Sequence, residues 1–191
     1  GNIKKLTSVN MGPNLLSDVE TGSACYNKIG VDMVRTHDYH GPCDYYNYSK
    51  FYNSFNKTFD FGIDPQKTSS YTWTQTDNQI NEIVNSGQTP FFRLGNSFSS
   101  TSVPETPMPK DVDGVNFKTF ASISKKTAEH YTDGWDNGEY HYIPYWEVWN
   151  EPNHALMWEI DSVAAYYRMY KQVSDSIKAF DANLMVGGPA S

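Results

Sequence analysis

The chain lacks the features that mark several large classes of protein. It has no apolar run of about eighteen residues, the length that a membrane-spanning helix requires. Its 15 Lys and Arg residues are scattered singly and its formal net charge is −7, so no basic stripe can follow a phosphate backbone. We therefore expect neither a membrane nor a nucleic acid as a partner.

Cysteine, metal-ligand and phosphate-binding patterns are also scarce. The two cysteines, Cys25 and Cys43, can form one bridge, but a pair at this spacing is neither a disulfide framework nor a metal site, and we favour free thiols. No group of His, Cys or carboxylate residues has the spacing of metal ligands. The turn "NMGPN" at 10–14 is not a phosphate-cradling loop. The sequence therefore predicts no metal and no cofactor.

Two short triplets bear on where the protein works. Asn47-Tyr48-Ser49 and Asn56-Lys57-Thr58 match the acceptor pattern for N-glycosylation. Such triplets also arise by chance in a chain rich in Asn and Ser. These triplets favour a secreted, extracellular location for the protein.

Aromatic residues are abundant instead. They make up 15% of the chain and include 14 tyrosines and 5 tryptophans. Tyr and Trp present flat apolar faces and keep a hydrogen-bonding group at one end. This combination suits stacking against sugar rings, although a large core uses the same residues.

Short apolar runs alternate with amphipathic stretches along the chain, which predicts strand and helix units around a parallel sheet. The predicted strands are 6–10, 31–36, 90–94, 143–149 and 184–186. The first predicted helix follows a capping box at 17–20 and ends at Gly30. The later helices have apolar positions at 80–84, 117–131 and 163–180.

The lengths of the connections favour a barrel over an open, doubly wound sheet. Long polar and aromatic segments follow the second, third and fourth strands, whereas the returns from helix to strand are short. In a (β/α)8 TIM barrel this asymmetry builds the working face at the carboxyl ends of the strands. We predict an α/β chain in which residues 1–191 supply strands 1–5, the N-terminal part of one catalytic domain.

One acidic residue lies directly beyond the fourth predicted strand. The stretch "YWEVWNEPNH", Tyr145 to His154, places Glu151 after an aromatic strand, where barrel enzymes carry catalytic residues. The turn is also consistent with simple helix capping by Asn150 or Asn153, with Pro152 in the first turn. Position and neighbours favour catalysis.

Four segments together resemble a known family. The motif "WEVWNEPN" at 146–153 is similar to the acid/base motif of retaining glycosidases with (β/α)8 barrels. "VRTH" at 34–37, "PFFRLG" at 90–95 and "MVGGPA" at 185–190 narrow the resemblance to glycoside hydrolase family 39, which includes β-xylosidases and α-L-iduronidases. The resemblance covers nearly the whole chain, in order.

The resemblance implies roles for particular residues. Glu151 would be the general acid/base, Asn150 would hydrogen-bond the 2-hydroxyl of a carbohydrate substrate, and His37 would hold another hydroxyl. His40 and Trp149 are further candidates for substrate contact, although packing or loop exposure explains either equally well. Arg35 is expected inside the barrel, where it orders neighbouring carboxylates or backbone.

A retaining glycosidase also needs a nucleophilic carboxylate roughly 5–5.5 Å from the acid/base. The family carries it on the seventh strand, and Glu147 is about 13 Å from Glu151 along its own strand. We therefore expect the isolated chain to be inactive, with a complementary polypeptide or oligomer partner completing the barrel. The alternative is a non-catalytic carbohydrate-binding barrel fragment.

Overall fold

The computed structural model describes residues 7–10, 22–36, 52–53, 58–59, 64–95, 116–153, 158 and 163–189. Several predictions fall outside these residues. They concern His37, His40, Cys43, the capping box at 17–20, and the triplets at Asn47 and Asn56. Cys25 is described and is an exposed, free thiol.

Strands and helices alternate as predicted. In chain order the elements are β1 (Ser8–Asn10), α1 (Gly22–Ile29), β2 (Met33–Arg35), β3 (Tyr52–Asn53), β4 (Thr58–Phe59), α2 (Thr74–Asn85), β5 (Thr89–Leu94), α3 (Asn116–Asp133), β6 (Tyr145–Val148), α4 (Val163–Phe180) and β7 (Met185–Gly187). A short 3-10 helix, Thr68–Ser70, precedes α2. None of the described helices is long and apolar enough to cross a membrane.

Glycines end α1 and α2 through the same hydrogen-bonding motif. Gly30 and Gly87 have φ values of 75° and 85°, a left-handed conformation that side chains disfavour. After α1, the Gly30 N–H bonds the Asn27 carbonyl at 3.2 Å and the Val31 N–H bonds the Tyr26 carbonyl at 2.9 Å. The equivalent pair of bonds follows α2, so both helices end in a Schellman motif and turn directly into a strand.

The order of the strands decides between the two α/β architectures. Five strands form one sheet in the order β1-β2-β5-β6-β7, and every neighbouring pair is parallel. Each new strand therefore joins the same growing edge, whereas a doubly wound sheet reverses direction part-way. The sheet is the singly wound wall of a barrel. The β3/β4 hairpin, which was not predicted, forms a separate two-stranded antiparallel sheet.

The two faces of the sheet differ in chemistry. Side chains alternate along a strand, and parallel register keeps paired residues on one face. One face is apolar and fully buried, and its members are Val34, Phe92, Leu94, Trp146 and Val148. The other face carries larger and more polar side chains, namely Arg35, Phe91, Arg93, Tyr145 and Glu147. The apolar face packs against the helices, so the polar face is the interior of the curved wall.

The helices cover the apolar face as their periodicity predicts. On α3, all six predicted apolar-face positions from Phe117 to Tyr131 are buried. On α4, Tyr166, Val173 and Ile177 are buried, but Val163 and Tyr167 are 70% and 63% exposed. The helix itself was predicted correctly, and these two residues of its apolar stripe lie outside the contact with the described sheet.

Candidate active site at the carboxyl end of the sheet

The residues after β6 reverse the alternation of the strand. Trp149 has a φ of 70°, a left-handed conformation that is rare for a large side chain. Its N–H still bonds the Leu94 carbonyl at 2.7 Å, so the backbone continues beside β5. Regular alternation would place Trp149 on the interior face with Glu147. Instead its ring is buried against Phe120 of α3 and against Trp158.

The turn at Trp149 directs the next residue to the interior. Asn150 is buried, and its side-chain oxygen accepts a 2.9 Å hydrogen bond from Nη2 of Arg35. Glu151 follows with a second positive φ, 41°, and is exposed. Two left-handed residues within three positions are a local backbone strain of the kind found at functional sites. The next described helix begins at Val163, and the segment 154–157, where a helix capped by Asn153 would start, lies outside the described residues.

Gly95 gives the Trp149 ring the space that it occupies. Gly95 follows β5 with a φ of 127°, and a Cβ built there would lie 2.6 Å from a ring carbon of Trp149. No real Cβ tolerates such a contact, so the ring and a side chain at position 95 exclude each other. The segment "PFFRLG" therefore contributes to the site through packing.

Arg35 connects three parts of the site. Its Nε donates to Oε2 of Glu147 at 2.5 Å, and its Nη1 donates to Oδ1 of Asn10 at 2.8 Å. With the bond to Asn150, the guanidinium links β1, β2, β6 and the segment after β6. The Arg35 and Glu147 side chains are 11% and 3% exposed, so this is a largely buried ion pair. The prediction that Arg35 orders interior carboxylates is confirmed.

Gly188, directly after β7, lies close to the end of β6. It has a φ of 123°, and a Cβ there would lie 3.1 Å from the Val148 carbonyl oxygen and 3.2 Å from Cγ of Glu147. The absence of a side chain at Gly188 thus allows the end of β6 to approach closely. At Gly187 nothing lies within 4 Å of the added atom.

A buried tyrosine supports the end of β6 from outside. The Tyr166 hydroxyl of α4 donates a 3.0 Å hydrogen bond to the Val148 carbonyl, directly before Trp149. Burial raises the pKa of Tyr166 well above its ordinary value, and neighbouring Tyr170, Glu147 and Tyr167 raise it further. The hydroxyl therefore stays protonated and keeps donating.

The predicted site residues fall into three groups. Asn150 and Glu151 lie together at the carboxyl end of β6, with Asn150 held by Arg35. Trp149 lies beneath them in the helix layer, and its described ring contacts are with protein, so substrate contact by Trp149 stays a prediction. His37 and His40 are not described, but the preceding Thr36 is fixed to β5: its N–H donates to the Phe91 carbonyl, and its hydroxyl accepts from the Arg93 N–H.

Sequence reasoning missed the partners of Arg35. Asn10, Arg35 and Glu147 are far apart in the chain, and the periodicity of a single strand does not relate them. The parallel register pairs Asn10 with Arg35 and ends β1 and β2 at the same level. Polar residues at the ends of consecutive predicted strands were the signal that could have revealed this cluster. Within the described part of the chain, no three His, Cys or acidic residues are grouped to hold a metal.

Comparisons with known proteins agree with the fold and with the motifs. The sequence model of Glycosyl hydrolases family 39 matches residues 18–191. A β-xylosidase from Caldicellulosiruptor saccharolyticus is 26% identical over 130 residues, which are 64% of this chain and 26% of that protein. The chain thus spans about a quarter of the length of this curated relative.

Two solved structures show the same fold at low identity. A glucosidase from Croceicoccus marinus matches with a TM-score of 0.76 at 21% identity, over 99% of this chain and 37% of its own. A monomeric β-xylosidase from Caulobacter crescentus matches with a TM-score of 0.60 at 21% identity, over 88% of this chain and 32% of its own. The predicted fold class, α/β with the chain forming part of a TIM barrel, is confirmed.

Proposed function

This chain belongs to glycosyl hydrolases family 39, and we propose that it carries the general acid/base of a retaining glycosidase, Glu151. The proposed substrate is a β-xyloside or a related glycoside. The β-xylosidase name of the Caldicellulosiruptor relative supports that choice of sugar. The nucleophile lies outside the described residues.

One observation carries the proposal: the exposed Glu151 follows a buried, hydrogen-bonded Asn150 at the carboxyl end of an interior strand. Active sites of barrel enzymes are built at this face. The exposed carboxyl group can reach a ligand, while its neighbour is held by Arg35. An acidic residue that only capped a helix would not need a fixed polar side chain beside it.

The proposed roles follow from the chemistry of retaining hydrolysis. Glu151 protonates the glycosidic oxygen as the bond to the leaving group breaks, and then removes a proton from the water that attacks the glycosyl intermediate. Asn150 hydrogen-bonds the sugar 2-hydroxyl, a contact that strengthens as positive charge develops on the ring. His37 holds another hydroxyl, and His40 and Trp149 complete the proposed substrate contacts.

Glu147 does not meet the requirement for the second carboxylate. Its carboxylate bonds Arg35 within the wall, and Glu147 lies on β6, four residues before Glu151 in the segment that follows the strand. A nucleophile must lie roughly 5–5.5 Å from the acid/base. We propose that a later strand, supplied by further sequence or by a complementary polypeptide, provides it. The 191 residues alone should then not hydrolyse glycosides.

The test replaces Glu151 by Gln in the full-length protein that contains this sequence. With a poor leaving group, such as a methyl β-xyloside, the rate should fall by about a hundredfold or more because no proton is delivered. With an activated aryl xyloside the first step needs no proton, so glycosyl-enzyme should accumulate. Added azide, which needs no general base, should then restore turnover and form the β-glycosyl azide.

Glu82→Gln on α2 is the matched control and should hydrolyse both substrates at the wild-type rate. Full activity of Glu151→Gln on the poor leaving group would refute the proposed role. Sugar binding in a calorimetric titration, with no turnover by the full-length protein, would instead favour the non-catalytic carbohydrate-binding alternative.

A further inference from the structure

The Arg35 guanidinium sets the direction of the neighbouring carboxamide. A guanidinium has N–H donors and no acceptor, so whatever it bonds must present an acceptor. The oxygen of Asn150 faces Nη2 of Arg35 at 2.9 Å. Rotating the amide by half a turn would put its NH2 group against the guanidinium and lose this bond. The NH2 group of Asn150 is therefore held on the side away from Arg35, where it can only donate.

Glu147 keeps Arg35 in this position. A guanidinium that is 11% exposed has lost most of its hydration, and a facing carboxylate offsets that loss. The Glu147 side chain is itself confined, because it is 3% exposed and its Cγ lies where a Cβ at position 188 would be only 3.2 Å away. Asn10 accepts from the third nitrogen, Nη1, and completes the set of partners. The direction of the Asn150 amide thus depends on residues from three strands.

We infer that Arg35 is a positioning residue, which acts through Asn150 to present an N–H donor to the 2-hydroxyl of the sugar, with Glu147 as its counter-ion. This inference rests on the proposed glycosidase function. It gives Glu147 a role in substrate recognition that does not require contact with substrate. It also assigns a direction to the contact: the sugar oxygen accepts, and Asn150 donates.

The experiment uses the full-length protein and two substrates, para-nitrophenyl β-xyloside and its 2-deoxy analogue. The measured quantity is the ratio of kcat/KM for the first substrate to kcat/KM for the second. In Asn150→Ala the ratio should fall by about tenfold or more, because a hydrogen bond in the transition state is lost. In Arg35→Met it should fall to a similar extent, and the double variant should show no further fall.

A purely structural role for Arg35 would slow both substrates equally and leave the ratio unchanged, and that result would overturn the inference. Arg35→Lys keeps the charge, but its single ammonium nitrogen does not reproduce the planar fork by which three guanidinium nitrogens bond Glu147, Asn10 and Asn150, so its ratio should also fall. Should Arg35→Met fail to fold, Arg35→Lys and Glu147→Gln supply the same test. Arg168→Met, at an exposed position of α4, is the control and should keep the wild-type ratio.

Failure of the proposed function would look different. Wild-type protein would then turn over neither substrate, or Glu151→Gln would leave hydrolysis of poor leaving groups intact. The first result refutes the glycosidase function, and the second refutes the acid/base role of Glu151. An active wild type with an unchanged ratio in Arg35→Met rejects only the positioning role.

Discussion

At the scale of single residues, Gly95 determines the positions of Asn150 and Glu151, because it leaves space for the preceding Trp149 ring. Replacing Gly95 by Ala puts a Cβ within 2.6 Å of the Trp149 ring, at a backbone φ of 127° that suits only glycine. The ring must move, and the two residues after it move with it. We expect a loss of about 2–4 kcal/mol in the free energy of unfolding and a more than tenfold loss of kcat/KM. Denaturant unfolding and aryl xyloside hydrolysis measure the two effects.

Gly87→Ala separates the effect of the ring from that of the backbone. Gly87 also has a positive φ, but a Cβ there meets nothing within 4 Å. Gly87→Ala should lower the free energy of unfolding by about 1–2 kcal/mol, the penalty of a left-handed non-glycine residue, and leave kcat/KM unchanged. Equal losses of activity in the two variants would show that Gly95 has no special relation to the site.

The same residues show what could be predicted at this scale. The position of Glu151 after a strand was readable from the sequence, and so was an interior Arg35, because both follow from strand periodicity. The orientation of Trp149 was not readable. Its positive φ carries no local sequence signal, since Trp is not a residue that favours this conformation. It is imposed by packing against Gly95 and Phe120, which lie far away in the chain.

At the scale of elements, two tyrosine hydroxyls hold α4 to the sheet. Tyr166 donates to the Val148 carbonyl and Tyr170 donates to the Val186 carbonyl. Burial raises the pKa of Tyr166 in the folded state, whereas in the unfolded chain it titrates near pH 10. Above about pH 10 the unfolded state therefore binds fewer protons than the folded state, and the free energy of unfolding must fall as pH rises.

We expect Tyr166→Phe to remove the share of this fall in the free energy of unfolding that comes from Tyr166. That share is at most about 1.4 kcal/mol per pH unit. At neutral pH the variant should be less stable by about 1 kcal/mol, because the Val148 carbonyl loses its donor. Urea unfolding at several pH values between about 9 and 11 measures both effects. Ile177→Val, a buried change on the same helix, should lower stability at every pH and keep the wild-type slope. An unchanged slope in Tyr166→Phe would assign the alkaline loss to other groups.

Helices were more predictable than strands and hairpins. The α4 boundaries match the apolar stripe residue for residue, and α3 differs by a residue or two at each end, because eighteen residues give several turns of repeated signal. The predicted strands 31–36 and 143–149 were three residues too long and 184–186 was displaced by one residue, since a strand of three or four residues contains too few alternations to define its ends. The β3/β4 hairpin, with two residues in each strand, has almost no periodicity to detect.

At the scale of the whole molecule, the described sheet has two edges, β1 and β7. A closed barrel has none, and exposed edges with unpaired backbone groups favour association. Large apolar side chains are also exposed near the β7 edge. Met185 lies on β7, and Val163 and Tyr167 lie on α4, all on elements that a following barrel unit would contact. The singly wound strand order, which loop lengths had predicted, is therefore also the reason to expect a partner segment.

We expect the 191-residue chain, prepared alone, to self-associate and to bind a fluorescent apolar dye, because these surfaces lack the segment that covers them. Co-expression with the strands that follow the matched region in a longer family-39 protein should give a discrete complex with little dye binding. Sedimentation velocity and dye fluorescence measure the two properties. Val163→Lys with Tyr167→Lys should reduce dye binding by the isolated chain, while Arg168→Gln on the same helix should not. A monodisperse monomer that binds no dye would contradict the need for a covering segment, and the missing nucleophile would then have to be sought within residues 1–191.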